Sequence, residues 1–142
     1  MTIRPELIQK LRDKRAKLTE HVSREKLDAL HAKGQLSARE RIGELVLEGS
    51  FQEFGLHAAH NATHFGMAGR ALPADGVIAG TGYVGDTQVA AVSQDFSVVA
   101  GTLGKMQAKK IARIMQHALK IGVPVVAFKD SGGTTPESRT LA

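Results

Sequence analysis

Hydrophobic positions fall into distinct regimes along the chain. Over residues 5–33, Leu7, Leu11, Leu18 and Val22 recur at helical spacing among many charges. That pattern predicts a helix with a thin apolar stripe, lying across a larger surface or a partner and contributing little core. Pro5 suits a first helical turn and Gly34 a stop. Ser37-Ala38-Arg39-Glu40 is a capping-box pattern, and a short helix follows through Ile42, Leu45 and Val46 to Gly49. From Ser50 to Ala74 periodicity disappears, and Phe51, Phe54 and Phe65 are expected to pin this segment onto the body. Val77–Val84 and Gln88–Gln94 read as two strands joined at Gly85-Asp86-Thr87, a hairpin signal.

Helical periodicity then returns strongly. Ile111, Ile114, Met115, Ala118 and Leu119 fall at i, i+3, i+4, i+7 and i+8, one apolar face, with Lys105, Lys109 and Arg113 as a basic stripe beside it. Gly122 supplies the C-terminal stop and Pro124 follows. Val123–Phe128 is a continuous apolar run, as expected of a parallel strand covered on both faces. The fold class is therefore α/β: N-terminal helices, a β-hairpin and a βαβ unit. Gly80-Thr81-Gly82-Tyr83-Val84-Gly85 matches the dinucleotide fingerprint formally, but its glycines lie inside a strand and at a turn. That fingerprint must follow a strand and open a helix, so these glycines mark a bulge or a close backbone approach instead.

Composition narrows the function classes. At 142 residues with 42 % hydrophobic content, the chain has the size of one globular domain. No apolar run approaches the roughly 18–20 residues of a membrane span, and the charged N-terminus lacks a signal-peptide core, so a cytoplasmic protein is expected. With no cysteine, disulfides and thiolate chemistry are excluded. The net charge of +5 is uneven: residues 100–120 hold Lys105, Lys109, Lys110, Arg113 and Lys120 with no acid, the block best suited to an anionic partner.

Three groups of residues carry candidate chemistry. His57, His60 and His64 invite a metal reading at such short spacing, yet no nearby Cys or carboxylate completes a ligand set; the alternative is a polar surface loop. Gly132 and Gly133 follow the last strand, where two adjacent N–H groups suit a developing oxyanion, or else form a plain turn. The basic stripe admits a nucleic-acid-associated module, against which stand one Tyr, no Trp and an acidic middle.

Seven motifs in register resemble one family. They are Ser37-Ala38-Arg39-Glu40-Arg41-Ile42, Gly49-Ser50-Phe51, Asp75 to Gly82, Ser93-Gln94-Asp95-Phe96, Gly101-Thr102-Leu103-Gly104, Lys109-Lys110-Ile111 and Asp130-Ser131-Gly132-Gly133. Together, across roughly residues 1–133, they resemble the carboxyltransferase (beta) subunit of biotin-dependent acyl-CoA carboxylases, most of all the propionyl-CoA carboxylase beta chain. The resemblance implies a partial crotonase-like (ClpP/crotonase) N-domain over 50–133, after an N-terminal helical segment, 1–49. It implies carboxyl transfer from carboxybiotin, supplied by a partner carrier protein, to the α-carbon of an acyl-CoA such as propionyl-CoA or acetyl-CoA. No metal bound by this chain is implied.

By the same resemblance, Gly132 and Gly133 are the N-domain oxyanion pair, and Gly101, Thr102, Leu103 and Gly104 line the acyl-CoA cleft. Lys105 and Lys109, at a helix start where the dipole favours anions, are candidates to meet CoA phosphates. The implied partners are the acyl-CoA, a biotin carboxylase/biotin carrier subunit and, in the full-length family, further copies; nucleic acid and membrane are not among them. The decarboxylases of the same superfamily, of methylmalonyl-CoA or glutaconyl-CoA type, use the same chemistry in reverse.

The pattern breaks after Gly133. The family continues Ala-Arg and then into a helix, whereas Thr134-Thr135-Pro136 follows here and residues 134–142 form a divergent tail. The expectation is an N-terminal fragment, catalytically incompetent alone and marginally folded or stabilised by self-association, with the final strand at an unpaired edge.

Overall fold

The computed structural model describes residues 4–20, 22–59 and 74–133. His60, His64 and Phe65 and the divergent tail at 134–142 lie outside the described residues. Four helices, α1 (Pro5–Thr19), α2 (Arg24–His31), α3 (Ala38–Leu45) and α4 (Lys105–Ile121), accompany a sheet of β1 (Gln52–Glu53), β2 (Val77–Val84), β3 (Thr87–Gln94) and β4 (Val125–Phe128). Sheet order is β1-β2-β3-β4. The first two pairings are antiparallel, and β3 and β4 are parallel, joined through α4 as expected.

The hairpin is regular from Val77 opposite Gln94 to Val84 opposite Thr87, leaving Gly85 and Asp86 as the turn. There is no bulge. Gly80 and Gly82 mark close approach: a Cβ on Gly80 would lie 2.2 Å from the Gln52 carbonyl oxygen, and one on Gly82 2.8 Å from the Val46 side chain. Glycine at 80 is what lets β1 pair against β2.

Both faces of the hairpin are buried, each by one helix. Ile78, Val89 and Ala91 pack under Ala38, Ile42 and Val46 at α3, with Phe51 and Phe128 alongside. Val77, Ala79, Ala90 and Val92 pack under Ile114 and Ala118 of α4, with Phe54 and Val123 alongside. Phe51 and Phe54 thus anchor the irregular segment to opposite faces. The alternation of side chains along a strand makes this two-sided core from one apolar run.

Three expectations change. The helix expected over 5–33 is two helices. Thr19 Oγ1 donates to the Arg15 and Ala16 carbonyls, and Ser23 is extended ahead of α2. Neither helix has a buried residue, in keeping with the thin stripe. The apolar face of α4 is also rotated from the expected one. Gln107, Lys110, Ile114 and Ala118 are buried, while Met115 is 51 % and Leu119 85 % exposed. Finally, β4 is not covered on both faces. It is the last strand of the sheet, its pattern alternates exposed and intermediate, and Val125 is 39 % exposed.

The loops at the carboxyl ends of the parallel strands

In an open α/β sheet, binding sites form beyond the carboxyl ends of parallel strands. Here those ends carry two loops, 95–104 leading from β3 into α4, and 129–133 following β4. The two segments singled out in sequence, Gly101–Gly104 and Gly132–Gly133, meet there. The Gly132 N–H donates to the Ala100 carbonyl at 2.8 Å, and the Leu103 N–H donates to the Gly133 carbonyl at 2.9 Å. Gly101 is buried with φ +62, and a Cβ on it would lie 2.0 Å from the Asp130 carbonyl oxygen. Only glycine permits that approach. Val99 and Ala100 carry φ of 49 and 51, a left-handed backbone that costs about 1–3 kcal/mol per residue and clusters at functional loops.

The Gly132 and Gly133 amides, expected from the sequence as an oxyanion pair, are both engaged in internal hydrogen bonds. Gly132 bonds Ala100 as above, and the Gly133 N–H donates to Ser131 Oγ at 3.2 Å while that hydroxyl donates to the Gly133 carbonyl at 3.0 Å. Behind the loop, Asp130 is fixed twice. Its N–H donates to Gln94 Oε1 at 3.1 Å, and its carboxylate accepts from Arg41 Nη2 at 2.6 Å. Arg41 is aimed by α3, whose capping box is complete: the Glu40 N–H donates to Ser37 Oγ and the Ser37 N–H to Glu40 Oε2. The Ser37 N–H above all, then the Ser37 hydroxyl and an exposed contact to His31, hold the Glu40 carboxyl below its ordinary range against the opposing effect of burial.

The start of α4 differs from expectation. Asp75, itself left-handed at φ 51, reaches across with Oδ2 to accept the Gln107 N–H at 2.6 Å. This internal carboxylate takes the place at the helix N-terminus where an external anion would sit. Gln107 is fully buried and its Nε2 donates to the Gly76 carbonyl. Lys105 and Lys109 are exposed on the outer side of the helix. Lys110, by contrast, turns inward past Gly55, donating to the Ala74 and Val77 carbonyls at 2.9 and 2.6 Å. Burial pushes its pKa down to about 8, against the opposing pull of the Glu53 and Asp75 carboxylates. Sequence reasoning counted Lys110 in the basic block suited to an anionic partner; the contacts of Asp75, Arg41 and Lys110 carry no local spacing signal.

Among the described residues, no group of three or more His, Asp or Glu side chains is placed to hold a metal ion, and no helix is long and apolar enough to cross a membrane. His57 is exposed.

This arrangement, a hairpin extended through a parallel β3–α4–β4 unit with its loops meeting at the strand ends, is that of the crotonase-fold carboxyltransferases. The chain belongs to the carboxyl transferase domain family, whose pattern matches residues 29–140. The methylmalonyl-CoA decarboxylase subunit alpha of Propionigenium modestum is 41 % identical over 133 residues, covering 94 % of this chain and 26 % of that one. The propionyl-CoA carboxylase beta chain of Saccharopolyspora erythraea is 48 % identical over 103 residues, covering 72 % and 19 %. Among solved structures, Transcarboxylase 12S with methylmalonyl-CoA bound superposes with TM-score 0.88 at 34 % identity, covering 95 % of this chain and 26 % of its own. The chain thus spans about a quarter of the length of the proteins it matches.

Proposed function

We propose that this chain is the acyl-CoA-facing part of a carboxyltransferase that carboxylates the α-carbon of propionyl-CoA or acetyl-CoA. Deprotonation next to the thioester places an electron pair on the carbonyl oxygen as the enolate forms, and the α-carbon then makes the new carbon–carbon bond. Carboxybiotin on a partner carrier supplies the carboxyl group and, once that group has left, the base. No residue of this chain is assigned to hold it. The work of the chain is to position the thioester and stabilise its oxygen. The amides of Gly132 and Gly133 are assigned that role, each donor contributing roughly 3–4 kcal/mol when aimed at the oxyanion. Gly101, Thr102, Leu103 and Gly104 wall the acyl group, and Lys105 and Lys109 add positive potential along the approach.

The observation that carries this reading is the backbone pairing of the 99–104 loop with the 130–133 loop at the strand ends. Both amides are engaged there, so donation to a substrate oxygen requires the Ser131–Gly133 loop to shift and exchange two bonds, each with a net worth of about 1 kcal/mol. In that state the chain alone is catalytically incompetent. The decarboxylase direction is the second reading, favoured by the methylmalonyl-CoA decarboxylase relative. Retention on immobilised CoA, released by free propionyl-CoA, is the expected behaviour. Passage through that matrix with salt-sensitive retention on heparin would instead support the basic nucleic-acid module.

A further inference from the structure

Arg41, Gln94 and Asp130 each lie in one of the motifs that mark the family, and the resemblance assigns none of them a role. The fold brings all three to one point behind the glycine loop. The parallel pairing of β3 with β4 ends at Ser93 opposite Phe128. Gln94, buried at the end of β3, carries it one bond further, its Oε1 accepting the Asp130 N–H at 3.1 Å. The Asp130 carboxylate accepts from Arg41 of α3, and the Asp130 carbonyl lies against Gly101, where only glycine fits. Asp130 is thus held at its N–H, its side chain and its carbonyl. Ser131, Gly132 and Gly133, by contrast, are all exposed. A Cβ on Gly133 would meet nothing within 4 Å, and its φ of +147 is a backbone open to glycine. Constraint falls away within a single peptide, so a fixed post carries a tip with room to move.

We propose that Arg41 and Gln94 are positioning residues for the Gly132 and Gly133 amides, acting through Asp130, which sets the direction in which the tip presents them to the thioester oxygen. The inference rests on the acyl-CoA reading and deepens it. A donor of this kind works only within about 2.7–3.1 Å of the oxygen it serves, so an error of ~0.5 Å in the post passes to both amides. Paired glycines cannot hold a direction of their own, because glycine has the widest backbone freedom. The direction comes from the residue before them. Arg41 has a second effect. An aspartate carboxylate readily accepts from the N–H two residues on, which here is Gly132, and the guanidinium holds it away from that amide. Gln94 does the same for the main chain, since without its acceptor the Asp130 N–H loses its partner and the peptide is free to rotate.

The test uses the whole chain, with NMR of isotope-labelled glycine amides and isothermal titration. Gly132 is the one glycine preceded by serine and Gly133 the one preceded by glycine, so carbonyl labelling of serine and of glycine identifies both signals. Gln94→Met, Arg41→Gln and Asp130→Asn are each expected to shift both signals, while those of Gly85 at the hairpin turn and Gly122 at the end of α4 stay in place. In titrations the wild type is expected to bind propionyl-CoA about fivefold more tightly than CoA, the value of one hydrogen bond to the thioester oxygen. Each variant is expected to lose that preference with its affinity for CoA within about twofold of wild type. A merely structural role would weaken both ligands together. Arg41 and Asp130 are only partly buried, so their variants decide the matter if Gln94→Met does not fold. Unmoved Gly132 and Gly133 signals, or variants that still prefer propionyl-CoA, overturn the inference alone. A wild type that binds neither ligand takes down the acyl-CoA reading, and this inference with it.

Discussion

The Arg41 guanidinium donates to the Asp130 carboxylate at 2.6 Å, joining residues 89 positions apart. One end belongs to a capped two-turn helix, the other to the loop that carries Gly132 and Gly133. Both side chains are partly buried, at 21 % and 36 % exposure, so the pair is screened less than a surface ion pair. A double-mutant cycle of Arg41→Ala and Asp130→Asn, read by urea unfolding, is expected to give a coupling of about 1 kcal/mol. Additive single effects would mean that α3 does not brace the loop.

Glycines 80 and 43 are expected to respond in opposite directions. A methyl at Gly80 meets the Gln52 carbonyl oxygen at 2.2 Å, backbone that cannot rotate away, so Gly80→Ala is expected to cost about 1–3 kcal/mol or to detach β1. Gly43 lies within α3 with nothing inside 4 Å of its would-be Cβ. Gly43→Ala is expected to stabilise by about 0.5–1 kcal/mol through helix propensity. Thermal melts of the two variants check both signs.

Lys110 predicts a pH dependence. Its folded pKa, lowered to about 8 from 10.5, means that between those values the unfolded chain holds a proton the folded chain has released. Stability from this group therefore rises with pH across that window, and its charging cost is present in full below it. Glu53, Asp75 and Arg39 are the charges that face it. The wild-type stability minus that of Lys110→Met is expected to climb from about pH 8 to pH 10.5. A flat difference would show the amine to be as well hydrated as in the unfolded chain.

The outer side of α4 and the β4 edge are expected to associate. Met115, Leu119, Ile121 and Val125 are exposed at 51, 85, 42 and 39 %, beside a strand with no neighbour on one side among the described residues. Sedimentation velocity is expected to show concentration-dependent self-association, reduced by Met115→Lys with Leu119→Lys. The melting temperature should hold, since these side chains already face water. A monomer at all concentrations would count against the edge as an association surface.

Much of the fold was legible because its causes are local. The Ser37–Glu40 box, the left-handed Gly122 that ends α4, the Gly85-Asp86 turn and the apolar runs of β2 and β3 each act within a few residues. The family, and the segments 101–104 and 130–133, were legible as motifs in register, and the structure brings those segments together.

What the chain alone determined is therefore most of its elements, the break between α1 and α2 and the short β1 excepted, and the family they belong to. Only the tertiary structure decided which side of α4 is covered, that Lys110 turns inward, that Asp75 occupies the start of α4 and that both glycine amides are engaged. Apart from the local Gly133–Ser131 bond, each of those depends on partners brought together by folding, as with Asp75 and Gln107 at a separation of 32 residues. Periodicity marks a face as apolar, but burial goes to whichever residues the sheet meets, and hydrogen bonds go to whichever donors the loops bring within reach.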